Sequence, residues 1–190
     1  MNTAHNVLVT CRVARRIKEF SSHGDLLREL TLPDDVIWPS HAIQTRSGQF
    51  IVCHGGDFAH PVHRVCMISA DGRDIVHSHG GQRGSDTDRY NMPSRLAVDD
   101  DEGVFVVDRG NERLQLLSPT LQYVRTVLSD DQLNYDVPER VCLDTQRRHL
   151  YVADNEWKGH TTCCTHKEGV LAVGFHTHTY TAGCVAVFCV

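Results

Sequence analysis

Residues 6–30 of this 190-residue chain reappear, in altered form, at 103–127. With Asn6 laid over Gly103 the two stretches run together without a gap. Val7 falls on Val104, Leu8 on Phe105, Val9 on Val106, Ile17 on Leu114 and Phe20 on Leu117, while the polar Arg16 meets Arg113 and Ser21 meets Ser118. The offset is 97 residues, or two units of about 48. The unit between them starts at Gly48 as GQFIVCHGGDFAHPVHRVCMIS, with about six extra residues ahead of Arg64. A fourth starts at His149 as HLYVADNEW, laying Asp154 on Asp108. Three copies are preceded by a shared stretch: WPSHAIQ, MPSRLAVD and VPERVCLD, with Pro39, Pro93 and Pro138 spaced 54 and then 45 residues apart. A fixed period of this size governs the fold, because each unit must bury its apolar face against its neighbour.

The clearest unit divides into SRLAVD, GVFVVD, RLQLLS and QYVRTVL, four short apolar-rich segments separated by turn residues. None is long enough for an ordinary helix, and the alternation suits strands packed on one or both faces. Four-stranded units of about 45 residues are the blades of a β-propeller. The expected fold is therefore all-β: a partial propeller of about three to three and a half four-stranded blades, with remnants at 6–30, 38–80, 92–128 and 137–157.

The pattern of a proline, an aspartate closing the first strand, a second strand ending in aspartate, then Asn-x-Arg resembles the NHL repeat. Pro93, Asp99, Asp108, Asn111 and Arg113 carry it in the cleanest copy, and the match spans residues 6–158. The first two copies depart from it, with Cys11 and Cys53 at the second aspartate position and Ala14 at the asparagine position. The resemblance implies a propeller of six blades, roughly 270 residues at this period, so residues 1–158 are expected to form part of one. It further implies a kinship with the C-terminal region of TRIM-type ubiquitin ligases. The RING, B-box and coiled coil of those proteins have no counterpart here. Residues 159–190, apolar and rich in Cys and His, read as a divergent tail. They could form a β-hairpin that supplies missing strands, or arise from splicing or a faulty gene model.

Composition narrows the partners. The formal charge is -5 and the pI about 6.2, so the surface is not basic throughout and DNA is not an expected ligand. No run approaches the ~18 apolar residues of a membrane span, and the N-terminus lacks the layout of a signal peptide. A cytoplasmic location and no membrane contact follow as expectations. Cys11, Cys53, Cys66 and Cys142 lie singly in apolar segments and read as reduced, strand-borne cysteines; no CxxC pair occurs.

In a propeller the connections from second to third strand, and from one blade to the next, emerge on the same side. Both long insertions, 54–63 and 80–91, fall there, and long loops on a rigid scaffold are where recognition resides. The candidate binding face therefore comprises His54, Asp57, His60, His63, Arg83, Asp86, Arg89, Arg109, Asn111 and Asn155. Its histidines and aspartate are suitable zinc ligands, but spacing alone does not make them converge, and neither a metal nor a cofactor is assigned. Repeated positions read as structural: Arg16, Arg64 and Arg113 for bonding between blades, Asp108 and Asp154 for turn N–H groups, and Pro39, Pro93 and Pro138 for strand starts.

No nucleophile elbow, P-loop or dinucleotide fingerprint occurs. The expected function is a non-catalytic scaffold that binds a protein partner, as the recognition part of a TRIM-type ligase system. The alternatives are single-stranded RNA binding by Arg83, Arg89, Arg95, Arg109 and Arg140, with Tyr90 or Phe58 as a stacking plane, or a truncated product without function.

Overall fold

The computed structural model describes residues 6–56, 61–133, 137–147, 149–154, 161–167 and 170–176, with 154, 161–167 and 170–176 described at the level of the backbone. It is all-β, with four separate antiparallel sheets, each a simple meander. The first has three strands: β1 (Val7–Cys11), β2 (Arg16–Phe20) and β3 (Leu26–Thr31). The second holds β4 (His41–Gln44), β5 (Phe50–Gly55), β6 (Val62–Ile68) and β7 (Ile75–Gln82). The third holds β8 (Pro93–Val98), β9 (Val104–Asp108), β10 (Arg113–Leu117) and β11 (Tyr123–Leu128). The fourth holds β12 (Pro138–Asp144), β13 (His149–Asp154), β14 (Thr161–Lys167) and β15 (Val170–His176). The sequence pattern carried two strands of this last sheet; β14 and β15 pair onto them in register, Tyr151 with Cys163 and Cys164 with Val173.

The sheets stack face to face, and strand periodicity dictates how. Successive side chains on a strand point to opposite faces. On β5, Phe50 and Val52 therefore enter one core with Ile17 and Leu30 of the first sheet and Val36 of the connection that follows it. Ile51 and Cys53 enter another core with Leu96, Val104, Val106 and Leu117 of the third. On β9, Val104 and Val106 face back into that core, while Phe105 and Val107 meet Leu150 and Val152 of the fourth sheet. Burial on both faces explains why these strands read as unbroken apolar runs, FIVC and VFVV, rather than as alternating ones. Contact between sheets runs through β4, β8 and β12. These are the strands that approach the common axis.

Turns repeat as faithfully as strands. Between the last two strands of successive sheets, Gly24 N donates to Ser21 O, Gly72 N to Ser69 O and Leu121 N to Ser118 O. The donor residue is left-handed each time, at φ 92°, 82° and 59°. Two sheets meet that demand with glycine, the least strained residue there. The third uses Leu121, fully buried in the core between the second and third sheets. A second repeated site is the residue before the blade-opening proline, where Trp38 and Met92 both have positive φ.

Three cysteines fit the reduced reading: Cys11, Cys53 and Cys66 are free thiols, the latter two buried. Cys142 corrects it, because it is disulfide-bonded. An isolated position in an apolar strand says nothing about what the fold brings beside it.

Leu121→Gly sets two effects against each other. Glycine relieves about 1 kcal/mol of left-handed strain, but removing a buried leucine costs about 3 kcal/mol. A net loss of roughly 2 kcal/mol in urea unfolding is expected; a variant more stable than the parent would contradict the packing described.

Candidate binding face

The second-to-third strand turns and the connections between sheets come together at one end. Gly55 N donates to Ile37 O, and Ser40 Oγ to both Cys53 O and Pro93 O. Gly110 N donates to Asn91 O, and the Asn91 amide returns a bond to Gly110 O at 2.8 Å. At these two boundaries the expected loop face is thus a stitched surface in which the turn is tied to the segment entering the next sheet.

Its organising group is Asp108, at the end of β9 and fully buried. Oδ1 accepts from Asn91 N at 2.8 Å. Oδ2 accepts from Asn111 Nδ2 at 2.7 Å and Arg113 Nε at 2.8 Å. Burial pushes its carboxyl up to about 6, while Asn111, the Asn91 backbone and Arg113 act in the opposite direction. Arg113 uses its remaining donors on the loop that follows β7: Nη1 reaches Ser85 O, and Nη2 reaches Asp86 O and Arg89 O. Asn111 Nδ2 also reaches Gly84 O at 2.9 Å. Inside the loop, Gly84 N donates to Tyr90 O and Arg89 N to Asp86 O. Tyr90 is fully buried, with its ring edge-on to His79 at 5.5 Å. Gly80, at φ +92°, is required beneath it, since a Cβ there would lie 2.7 Å from the Tyr90 ring. The side chain expected to serve as a stacking plane is therefore an anchor, which corrects that expectation.

The first two sheets lack this node. Cys53 stands where Asp108 would, and Arg64 where Arg113 would. Among the described residues Arg64 Nε is buried without a partner, as are both ring nitrogens of His54, the residue across the ladder from it. In the first sheet Arg16 turns to Glu29 on β3 of the same sheet instead.

The predicted residues divide accordingly. Asn111, Arg113, Asp108, Asp86 and Arg89 converge on the loop at 83–91, and Arg83 forms an isolated bridge with Tyr90. Arg109 lies at the next sheet boundary, paired with Glu139. His63 is buried and accepts from Met92 N at 2.9 Å through Nδ1, so it serves the seam between sheets. Pro93 and Pro138 open β8 and β12, while Pro39 lies two residues ahead of β4. Asp154 ends β13. Asp57, His60, Phe58 and Asn155 lie outside the described residues. Two participants were missed: Asn91, and His41, whose Nδ1 accepts from Leu96 N across the β4–β8 seam at 3.2 Å. His41 was detectable by register, since it follows Pro39 as Arg95 follows Pro93.

Solved structures place this architecture. The virginiamycin B lyase of Staphylococcus aureus superposes with a TM-score of 0.64 at 14% identity, over 92% of this chain and 53% of that one. A gluconolactonase of Xanthomonas campestris gives 0.62 at 17%, over 88% and 57%. The dihydro-heme d1 dehydrogenase NirN gives 0.59 at 12%, over 90% and 35%. The chain is a partial β-propeller. It spans about half the length of the lyase structures it matches. No protein-family model and no curated protein matches the sequence. The likeness shows the fold, and it corrects the non-enzyme expectation: these propellers are named as a lyase, a gluconolactonase and a dehydrogenase.

Buried histidines give the propeller a pH signature. Burial first, then Arg95 and Arg140, hold His41 at about 4; burial first, then Arg64, hold His54 at about 4. Both lie below the ordinary 6.5, so between pH 6.5 and 4 the unfolded chain binds protons that the folded one refuses, and stability falls with pH. Asp108, raised, acts in the opposite sense below pH 6. Two protons outweigh one, so unfolding at pH 5 should be easier than at pH 7 by roughly 2 kcal/mol. A urea midpoint that rises on acidification would contradict the burial of these imidazoles.

Proposed function

We propose that this arc of blades is a recognition scaffold that binds a protein partner through the loop at 83–91. One observation carries the reading: the Arg113 guanidinium, anchored by buried Asp108, holds three carbonyls of that loop. The loop's tip, Ser85 to Arg89, is nevertheless exposed. A loop fixed before binding loses little conformational entropy on association. In its fuller form the reading makes the chain the partner-recognition part of a TRIM-type ubiquitin ligase system in the cytoplasm. That extension rests on Pro93, Asp99, Asp108, Asn111 and Arg113 and their resemblance to the NHL repeat. The activities of the lyase, lactonase and dehydrogenase stay with those proteins.

RNA recognition through the same loop is less well supported. It needs uncommitted cations and a stacking plane. Arg113 is committed to Asp108 and to carbonyls, Arg109 to Glu139, and Arg89 lies 3.7 Å from Asp86.

The test places a photo-crosslinking residue at exposed Thr87, with exposed Arg73, in the β6–β7 turn at the opposite end, as the control. A discrete protein adduct from position 87, absent from position 73 and resistant to ribonuclease, is the expected result. Equal adducts from both positions, or one removed by ribonuclease, would reject a protein-binding loop.

A further inference from the structure

Three side chains recur at a register position that the loop reading does not use. His41, Arg95 and Arg140 each stand two residues after Pro39, Pro93 and Pro138. They lie near the starts of β4, β8 and β12, the strands through which successive blades touch. Because each of these strands begins at the loop end, the three residues stand together at the loop-side mouth of the propeller axis.

Their bonds leave N–H groups unspent. His41 Nδ1 accepts from Leu96 N, the residue beside Arg95. A neutral imidazole that accepts through Nδ1 carries its proton on Nε2, and burial together with Arg95 and Arg140 keeps this ring neutral at pH 7. Arg95 gives Nη1 to the adjacent Ser94 O at 2.8 Å, which consumes one of its five N–H groups. Burial and then the charge of Arg140 hold Arg95 below its ordinary value. Glu139 favours the charged form of Arg95, but its carboxylate is bound by Arg109. Cys53, also beside Arg95, is held protonated by burial.

We propose that His41, Arg95 and Arg140 form a binding site for a dianionic oxyanion, the phosphate monoester class, at the loop-side mouth of the propeller axis. Two permanent charges match a dianion, planar guanidinium forks match its oxygens, and the His41 Nε2–H adds a neutral donor. None of the three belongs to the 83–91 loop, so the site stands or falls separately from partner binding there.

Thermal unfolding of the full chain at pH 7.5 and fixed ionic strength tests it, with inorganic phosphate, phenyl phosphate, dimethyl phosphate and acetate as probes. Inorganic phosphate and phenyl phosphate at tenfold excess over Kd should raise Tm by about 4 °C. Monoanionic dimethyl phosphate and acetate should do markedly less. Arg140→Gln, at an exposed position that leaves folding intact, and Arg95→Gln should each weaken phosphate about tenfold, while Arg73→Gln in the distant β6–β7 turn should not. Absence of a phosphate effect, or an equal one in Arg140→Gln, would overturn the site. Dimethyl phosphate acting as strongly as phosphate would overturn the dianion and point to a nucleic-acid backbone.

Discussion

Everything else in this molecule depends on the burial of second strands from both sides. β5 and β9 have no solvent face: each sends alternate side chains into two different cores. A sheet covered on one face would leave half of FIVC or VFVV in water, at roughly 1.5–3 kcal/mol for each large side chain. Stacking blades is the arrangement that removes both faces from solvent. The first sheet shows the other case, because β1 occupies the equivalent place but Val7 and Val9 remain 43% and 41% exposed.

Stacking places polar groups at the seams, and the seams differ. Where Asp108 is present, a buried carboxylate with three donors fixes Asn91, Asn111 and Arg113 and through them a whole loop. Where Cys53 replaces it, Arg64 and His54 keep buried nitrogens without partners. Breaking such a carboxylate–guanidinium pair costs far more than replacing it outright. In the second blade only the carboxylate is replaced: Cys53 packs as a small apolar residue, while Arg64 stays with a buried nitrogen unpaired, which is the costly case. The organised loop sits at the boundary where the repeat is most complete.

Much of the fold was legible because it follows from period and alternation. The Asn6/Gly103 overlay put β1 and β9, β2 and β10 in register before any coordinates, and Arg113 was recognisable as a seam residue from its recurrence. Other features were not legible. TTCCTHK is short and polar and forms β14 by pairing with β13 and β15. Tyr90 looked like an exposed aromatic in a polar loop and is fully buried, since its burial depends on Gly80 and His79 across the sheet. The disulfide of Cys142 and the bond from Leu96 N to His41 Nδ1 across the β4–β8 seam depend on neighbours in other strands. A single strand's sequence does not contain them.

Amide hydrogen exchange, resolved by strand, tests the stacking most directly. β1, β5 and β9 are equivalent in the repeat and differ in how many blades cover them. The account predicts that β5 and β9 exchange slowest in the molecule, with β1 roughly a hundredfold faster. Equal protection of β1, β5 and β9 would contradict it, because hydrogen bonding within each sheet, and not burial between sheets, would then set their stability.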